Sequence, residues 1–322
     1  MPDFDLIVEY FEKIGIADSF YSLDDINRQV NYVLCFAKTF EKILIKTKPK
    51  TVFIVSYYGN EGLALNIACR RLGIATVDIQ HGVYGGYHQA YSKWINLPEC
   101  GYEMLPNYFW CWSDAEARIV NEWANHSHSS VVGGHPYIEK FQEFQLDMSC
   151  PIEQIVDSKS FNLLYTYNGL IENETERLIS LVKSSIAAND DLFYFIRMHP
   201  CRLHLGSEVE AAIQREGLGN FCNIKIASAV PLYSILDKVD IHITMTSSVI
   251  LEAKIFNKPS IILDRAGFDN FEEYIEKGFV EYAETEDIAI SLISEYATNT
   301  IKSYDVKKTG NMDNALVFLG FS

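Results

Sequence analysis

Residues 241–263 read IHITMTSSVILEAKIFNKPSIIL. A short run rich in β-branched residues, Ile241 to Thr244 in type, ends at the hydroxyl pair Ser247 and Ser248. An apolar-periodic segment over residues 249–256 follows, then Lys258 and Pro259, then a second buried-type run at 260–263. Strand, loop, helix, strand is the repeating unit of a parallel sheet. Small hydroxyl residues at a strand-to-helix junction leave backbone N–H groups and the positive end of a helix dipole at the carboxyl edge of the sheet, a place suited to phosphate. Glu252 lies one turn further along that helix, where a carboxylate can accept both hydroxyls of a ribose. The plainer reading makes either serine an N-cap and Glu252 a first-turn acid. The stretch alone leaves both open.

Working outward, the same alternation recurs on both sides. Upstream in the same half, strands are expected at residues 161–165, 192–198 and 223–226, helices at 174–188, 208–216 and 231–238, and a turn at 166–169. Downstream, two helical stretches flank residues 279–282, the second beginning near Thr285. In the first half, residues 3–22 suggest a short amphipathic helix. A long helix follows, capped at Ser22 or Asp24 and closed at 46–50 by lysines and Pro49. Residues 51–57 (TVFIVSY) read as a buried strand. Gly59-Asn60-Glu61-Gly62 turns the chain into a helix ending at Gly73, and 75–80 (ATVDIQ) is the next strand, leading to His81-Gly82. Further strands are expected at 108–112 and 131–132, with a helix at 115–124 between them, and the polar stretch 146–160 reads as a linker. The fold class is therefore α/β, with two parallel-sheet, Rossmann-like domains at residues 1–148 and 149–322 and a ligand cleft at their carboxyl edges.

Composition narrows the function. A chain of 322 residues with 48% hydrophobic and 22% charged residues has ample core for two domains. The formal charge of −16 excludes a general nucleic-acid binder and broad docking on anionic lipid, though a local basic patch can persist in an acidic whole. Seven scattered cysteines without CxxC spacing read as reduced thiols. No run is long enough to span a bilayer, and the acidic start MPDFDLIVEYFEKIG is unlike a signal peptide, so a cytoplasmic location is expected. There is no GxGxxG and hence no dinucleotide fingerprint.

Three motifs stand at strand ends: Gln80-His81-Gly82, Arg197-Met198-His199-Pro200, and Ser247-Ser248 with Glu252. Together, in order and spacing over roughly residues 51–264, they resemble the GT-B glycosyltransferases of bacterial capsule, lipopolysaccharide and O-antigen assembly. The likeness is nearest to enzymes using CMP-activated Kdo or sialic acid, with HP and SS motifs. Teichoic-acid-type glycerophosphotransferases and the UDP-GlcNAc 2-epimerase fold share parts of the layout. The resemblance implies a metal-independent transferase, without cofactor, that moves a sugar from a nucleotide-activated donor, CMP favoured and UDP or GDP possible, to a growing surface glycan. The acceptor would be a glycan or lipid-linked glycan, with no nucleic-acid partner, and peripheral association with the inner membrane face would come through acceptor or partner proteins. It further implies that His199 contacts donor phosphate and Pro200 fixes the turn. Ser247 and Ser248 would bind phosphate, Glu252 the ribose, and Asn168 and Gly169 would form the small-residue loop beside the phosphates. The alternatives are a glycerophosphotransferase, a sugar-nucleotide epimerase-like enzyme, and a non-catalytic nucleotide-sugar or glycan-binding module. The paired-acid-then-glycine motif that carries the base in some sialyltransferases is absent.

The remaining candidates follow from residue chemistry. Arg197 neutralises phosphate or sits in a buried ion pair. His81 is a base, a sugar ligand or a turn histidine. Glu61 is the preferred carboxylate base, or a first-turn acid held by the dipole. The aromatic loop after His81 offers Tyr84, Tyr87, His88 and Tyr91, with Trp94, as an acceptor platform or as simple packing. His135-Pro136 reads as structural.

Overall fold

A computed structural model describes residues 4–13, 22–86, 88–144, 160–299 and 311–321. The chain opens with helices α1 (Phe4–Lys13) and α2 (Leu23–Thr47). A capping box starts α2: the Ser22 hydroxyl accepts from Asp25 N at 3.2 Å, and the Asp25 carboxylate accepts from Ser22 N at 3.0 Å. Lys48, in the left-handed region at φ 49°, closes it. Next come β1 (Thr51–Ile54), α3 (Asn60–Arg71), β2 (Ala75–Ile79), β3 (Tyr108–Cys111), α4 (Asp114–Asn121) and β4 (Ser129–Val132). The four strands form one parallel sheet in the order β1-β2-β3-β4.

Helix α2 buries Val33, Ala37 and Leu44 against Ala64, Ile67 and Ala68 of α3, one stripe of each helix meeting the other. Gly62 is required where α3 leaves the sheet, because a Cβ there would lie 2.5 Å from the Tyr57 carbonyl oxygen. Among its described residues, the long β2-to-β3 connection contains no helix. It is pinned by buried His128, whose Nδ1–H donates to Pro106 O at 2.7 Å while Nε2 accepts from Tyr102 N at 3.0 Å.

The second half comprises α5 (Pro136–Phe144), β5 (Phe161–Tyr167), α6 (Glu174–Ala188) and β6 (Leu192–Met198). A 3₁₀ turn (Pro200–Leu205) leads to α7 (Gly206–Arg215), β7 (Cys222–Asn223), α8 (Lys225–Ala229), α9 (Leu232–Lys238), β8 (Ile241–Thr244) and α10 (Val249–Ile255). Then follow β9 (Ser260–Ile262), α11 (Arg265–Glu276), β10 (Val280–Tyr282), α12 (Glu286–Thr298) and α13 (Met312–Phe318). Its six-stranded parallel sheet runs β10-β9-β8-β5-β6-β7, the doubly wound order in which the first and fourth strands lie side by side. Strand alternation serves two cores. Leu163 and Tyr165 face α6, α7 and α12 on one side, and Leu164 and Phe195 face α5, α9 and α10 on the other.

The α/β class with two parallel sheets is thus observed. By packing, the chain divides into Met1–His81 with Lys93–Val132, and Gly82–Ser92 with Gly133–Ser322. The division at 148 and 149 and the linker at 146–160, save Ser160, fall outside the described residues. Helix α5 packs with the second unit, its Ile138 buried among α9 and α10 residues. Several elements differ from expectation, among them β1, which ends at Ile54 and not at residue 57. Thr166 and Tyr167 continue β5, because their main chain still pairs with β6. Residues 225–229 form a helix where a strand was expected, since the Asn223 carboxamide oxygen accepts from Ile226 N and Ala227 N and starts a turn. Residues 312–318 form an additional helix, capped by Asn311.

Candidate functional site

The site grows from the adjacency of β5 and β8. After β5 the chain goes to α6 on one face of the sheet, and after β8 to α10 on the other, so a crevice opens at the carboxyl ends of the two strands. Asn168, just past β5, spans it with Nδ2 at 3.5 Å from Thr246 O just past β8. The loop behind Asn168 is tied by Glu174, 2 % exposed, which accepts from Gly169 N at 2.7 Å, Asn168 N at 3.1 Å and Tyr165 Oη at 3.3 Å. Burial holds the Glu174 carboxyl above its ordinary pKa, against the pull of those backbone donors. Asn168 and Gly169 therefore do line the crevice, but with their amides committed to Glu174, which the sequence reading did not single out.

On the β8 side the two serines separate. Ser247 Oγ accepts from Val249 N at 3.3 Å and does the capping. Ser248 occupies the N-cap position in a helical conformation, φ −63° and ψ −12°, and its hydroxyl makes no capping bond. Gly82, which belongs to the same unit, packs beside it: a Cβ there would lie 3.5 Å from Ser248 Oγ. One turn on, Glu252 is 8 % exposed and its Oε2 has no hydrogen-bond partner among the described residues. Burial pushes its carboxyl up to about 8. A buried carboxyl oxygen without a donor is costly, and in native proteins such an oxygen is completed by an ordered water, an ion or a ligand group. Burial raises the pKa of Tyr233, and the nearby Glu252 carboxyl adds to the shift. Tyr233 stacks on Phe256 at 5.7 Å and 7° and places its hydroxyl 3.5 Å from His135 Nε2. His135 thus helps support the tyrosine near Glu252, a link that residue spacing could not reveal.

His199 follows β6 directly, its N–H bonded to Tyr167 O at 2.9 Å. Its ring Nδ1 accepts from Cys201 N at 3.2 Å, which fixes the neutral tautomer with the proton on Nε2. The residue is exposed, and Pro200 begins the 3₁₀ turn as a proline at a helix start should. Arg197 corrects the expectation. Its Nη1 donates to Ala227 O at 2.7 Å and Val230 O at 2.6 Å, so it braces the chain beyond β7, and among the described residues it forms no ion pair.

In the first unit, His81 is exposed and follows Gln80, whose side-chain oxygen accepts from Trp112 N at 2.7 Å and fixes the strand end. His81 Nε2 lies 3.1 Å from Ser56 Oγ and 3.2 Å from Tyr58 Oη, with Ser56 in the left-handed region at φ 60°. Glu61 is an exposed first-turn residue of α3. Of the two readings of the aromatic loop, the packing of its described residues favours the simpler one. Tyr84 and Tyr91, 0 % and 1 % exposed, stack on each other at 3.7 Å and spend their faces there. His88 is half-buried beside Tyr91, its pKa lowered by desolvation, with Nδ1 accepting from Ala90 N. Trp94 packs on Tyr102 and Trp123. Tyr87 lies outside the described residues.

No protein-family model and no curated relative matches the chain. Solved structures do. A putative UDP-N-acetylglucosamine 2-epimerase from Listeria monocytogenes is similar at a TM-score of 0.65 and 14% identity, over 93% of this chain and 79% of that one. UDP-GlcNAc 2-epimerase from Neisseria meningitidis, bound to UDP-GlcNAc, is similar at 0.61 and 13%, over 95% and 83%. The fold is GT-B-like. A glycotransferase of kitacinnamycin matches at 0.56 and 11% identity, over 92% and 82%. Other UDP-GlcNAc 2-epimerases match at scores comparable to the first two. These findings overturn the expectation of a CMP-sugar glycosyltransferase: the epimerase named among the alternatives accords better with them.

Proposed function

We propose that the protein is a nucleotide-sugar enzyme of the 2-epimerase type, acting on a UDP-N-acetylhexosamine. The observation that carries this reading is the buried, unpartnered carboxylate oxygen of Glu252 behind the hydroxyl of Ser248 at the switch point of the six-stranded sheet. Ribose hydroxyls would complete Glu252. The diphosphate would take the Ser248 hydroxyl and the Nε2–H of His199, with Asn168 closing the crevice. The similarity to enzymes whose own structures hold UDP-GlcNAc supports a UDP-sugar over other donors.

Inversion at C2 balances if the proton leaves C2 as the C1–O bond to UDP breaks, and UDP then returns to C1 as a proton is delivered to C2 from the opposite face, so a group that moves protons is needed. The test is incubation with UDP-GlcNAc in D2O, followed by proton NMR. The expected result is deuterium at C2 and appearance of the manno epimer. Tight UDP binding with no exchange at C2 would refute the epimerase reading, and no thermal stabilisation by UDP would refute the site itself.

A further inference from the structure

The outward face of α2 carries a charge opposite to that of the whole chain. Residues 38–50 contain Lys38, Lys42, Lys46, Lys48 and Lys50 against one acid, Glu41, in a protein of net charge −16. All five lysines are exposed, and none is in an ion pair among the described residues. Glu41 does not offset them, because it pairs with Arg71 at 3.0 Å. Lys38, Lys42 and Lys46 recur every four residues and so form one row along the helix. That row is opposite the stripe of Val33, Ala37 and Leu44 that packs on α3. Two large apolar side chains flank it, Ile43 at 48 % and Ile45 at 58 % exposure.

A helix whose inner stripe is already buried gains nothing for folding from aliphatic residues on its outer face. A row of cations with aliphatic flanks is the pattern of a surface that lies on anionic lipid, the ammonium groups at headgroup phosphates and the isoleucines at the acyl boundary. Nucleic acid would use the cations but not the isoleucines. We propose that this face of α2 docks the protein directly on an anionic bilayer surface. The acidic remainder of the molecule is repelled by such a surface, so attachment is confined to this patch and depends on salt.

The test is flotation with vesicles of equal parts phosphatidylglycerol and phosphatidylcholine, against phosphatidylcholine alone. Wild-type protein should float with the anionic vesicles at low salt, less at high salt, and not with neutral ones. Lys38→Glu, Lys42→Glu and Lys46→Glu together should weaken binding by at least ~100-fold, from about a five-fold loss for each lysine near the surface. The triple arginine variant should keep it. Ile43→Ser with Ile45→Ser should remove the part of binding that survives salt. Because these side chains are exposed, the circular-dichroism melt of each variant should match wild type, which separates lost docking from lost fold. Equal binding to neutral vesicles, full binding by the glutamate variant, or no binding to anionic vesicles at low salt overturns the proposal. So does a lipid-free dimer that the glutamate variant dissolves, since that would give the face to a second copy of the chain.

Discussion

The carboxylate of Glu174 accepts the backbone N–H of Gly169 at 2.7 Å, and that bond fixes the loop on the β5 side of the crevice. The same side chain also holds Asn168 N and the Tyr165 hydroxyl, all of them buried or half-buried. Removing one acceptor strands three donors, and charge-assisted bonds are the stronger kind. Glu174→Ala is therefore expected to cost about 3 kcal/mol of stability, read as a shift in urea midpoint at unchanged slope. Glu174→Gln should cost less, since one oxygen remains. Calorimetry should show UDP affinity falling in both variants, in the order of their stability loss, because Asn168 moves with the loop. An unchanged midpoint in the alanine variant would mean the loop is held by something else.

Glu252 gives the site a pH dependence of definite sign. Burial raises its carboxyl to about 8, so near neutrality the empty site holds it mostly protonated. Two ribose hydroxyls are donors and require the ionised form, so binding releases a proton. UDP affinity should rise with pH, by up to about ten-fold per pH unit below pH 8, and level off above it. Titrations in buffers of differing ionisation enthalpy should show the released proton. For stability the sign is reversed. A raised carboxyl pKa favours the folded state less as pH climbs from about 4.5 to 8, so Glu252→Gln should gain stability relative to wild type at pH 8 while losing UDP binding. Affinity that falls with rising pH would mean Glu252 binds as the neutral acid, or not at all.

Much of this was legible in the chain because parallel strands announce themselves locally. Residues 241–263 contain a strand, a hydroxyl junction, a helix and a strand at the spacing observed, and the motifs Arg197 to Pro200 and Ser247 to Glu252 fall at the strand ends expected. What spacing cannot give is the direction a side chain takes after its strand ends. Arg197 and His199 sit two apart, yet the guanidinium bonds the carbonyls of Ala227 and Val230 while the imidazole caps its own turn. Spacing does not single out Glu174, because its three partners come from β5 and the loop that follows it. The aromatic loop stayed open between two readings for the same reason: a tyrosine that stacks on sugar and one that stacks on another tyrosine are alike in composition, and only the 3.7 Å pairing of Tyr84 with Tyr91 tells them apart.

His242 sets the acid limit of the second unit. It is fully buried in β8, with Nε2 2.9 Å from Thr166 Oγ1 and Nδ1 3.0 Å from Ser260 Oγ, a chain of hydrogen bonds across three strands. Desolvation lowers its pKa to about 3, and that of His135 to about 4. Both stay neutral in the fold while the unfolded chain protonates near 6.5, so their contribution is complete above that pH and is lost as pH falls through 6.5 towards 3. Urea midpoints should decline over this window. His242→Gln, which cannot titrate, should start lower at pH 7 but decline less steeply. Parallel slopes for the two proteins would show that the imidazole is not the group being protonated.

Gly267 tests how closely α11 must approach the end of β8. A Cβ at this position would lie 2.3 Å from the Met245 carbonyl oxygen and 2.6 Å from Ile262 Cγ2, distances that backbone and packed core cannot relieve without moving the helix. Helix propensity pulls the other way, since alanine is better than glycine by about 1 kcal/mol inside a helix. Overpacking costs typically 1–3 kcal/mol where side chains can adjust, and more where the obstacle is backbone, so the steric term is expected to win by roughly 2 kcal/mol. Gly267→Ala should therefore lower the melting temperature. It should also weaken UDP binding, because Met245 leads directly into Thr246 and the serine pair. Gly86→Ala is the matched control: nothing lies within 4 Å of a Cβ there, and both stability and binding should be unchanged. A stabilised Gly267→Ala would mean that propensity dominates and that the helix is free to shift away from the strand end.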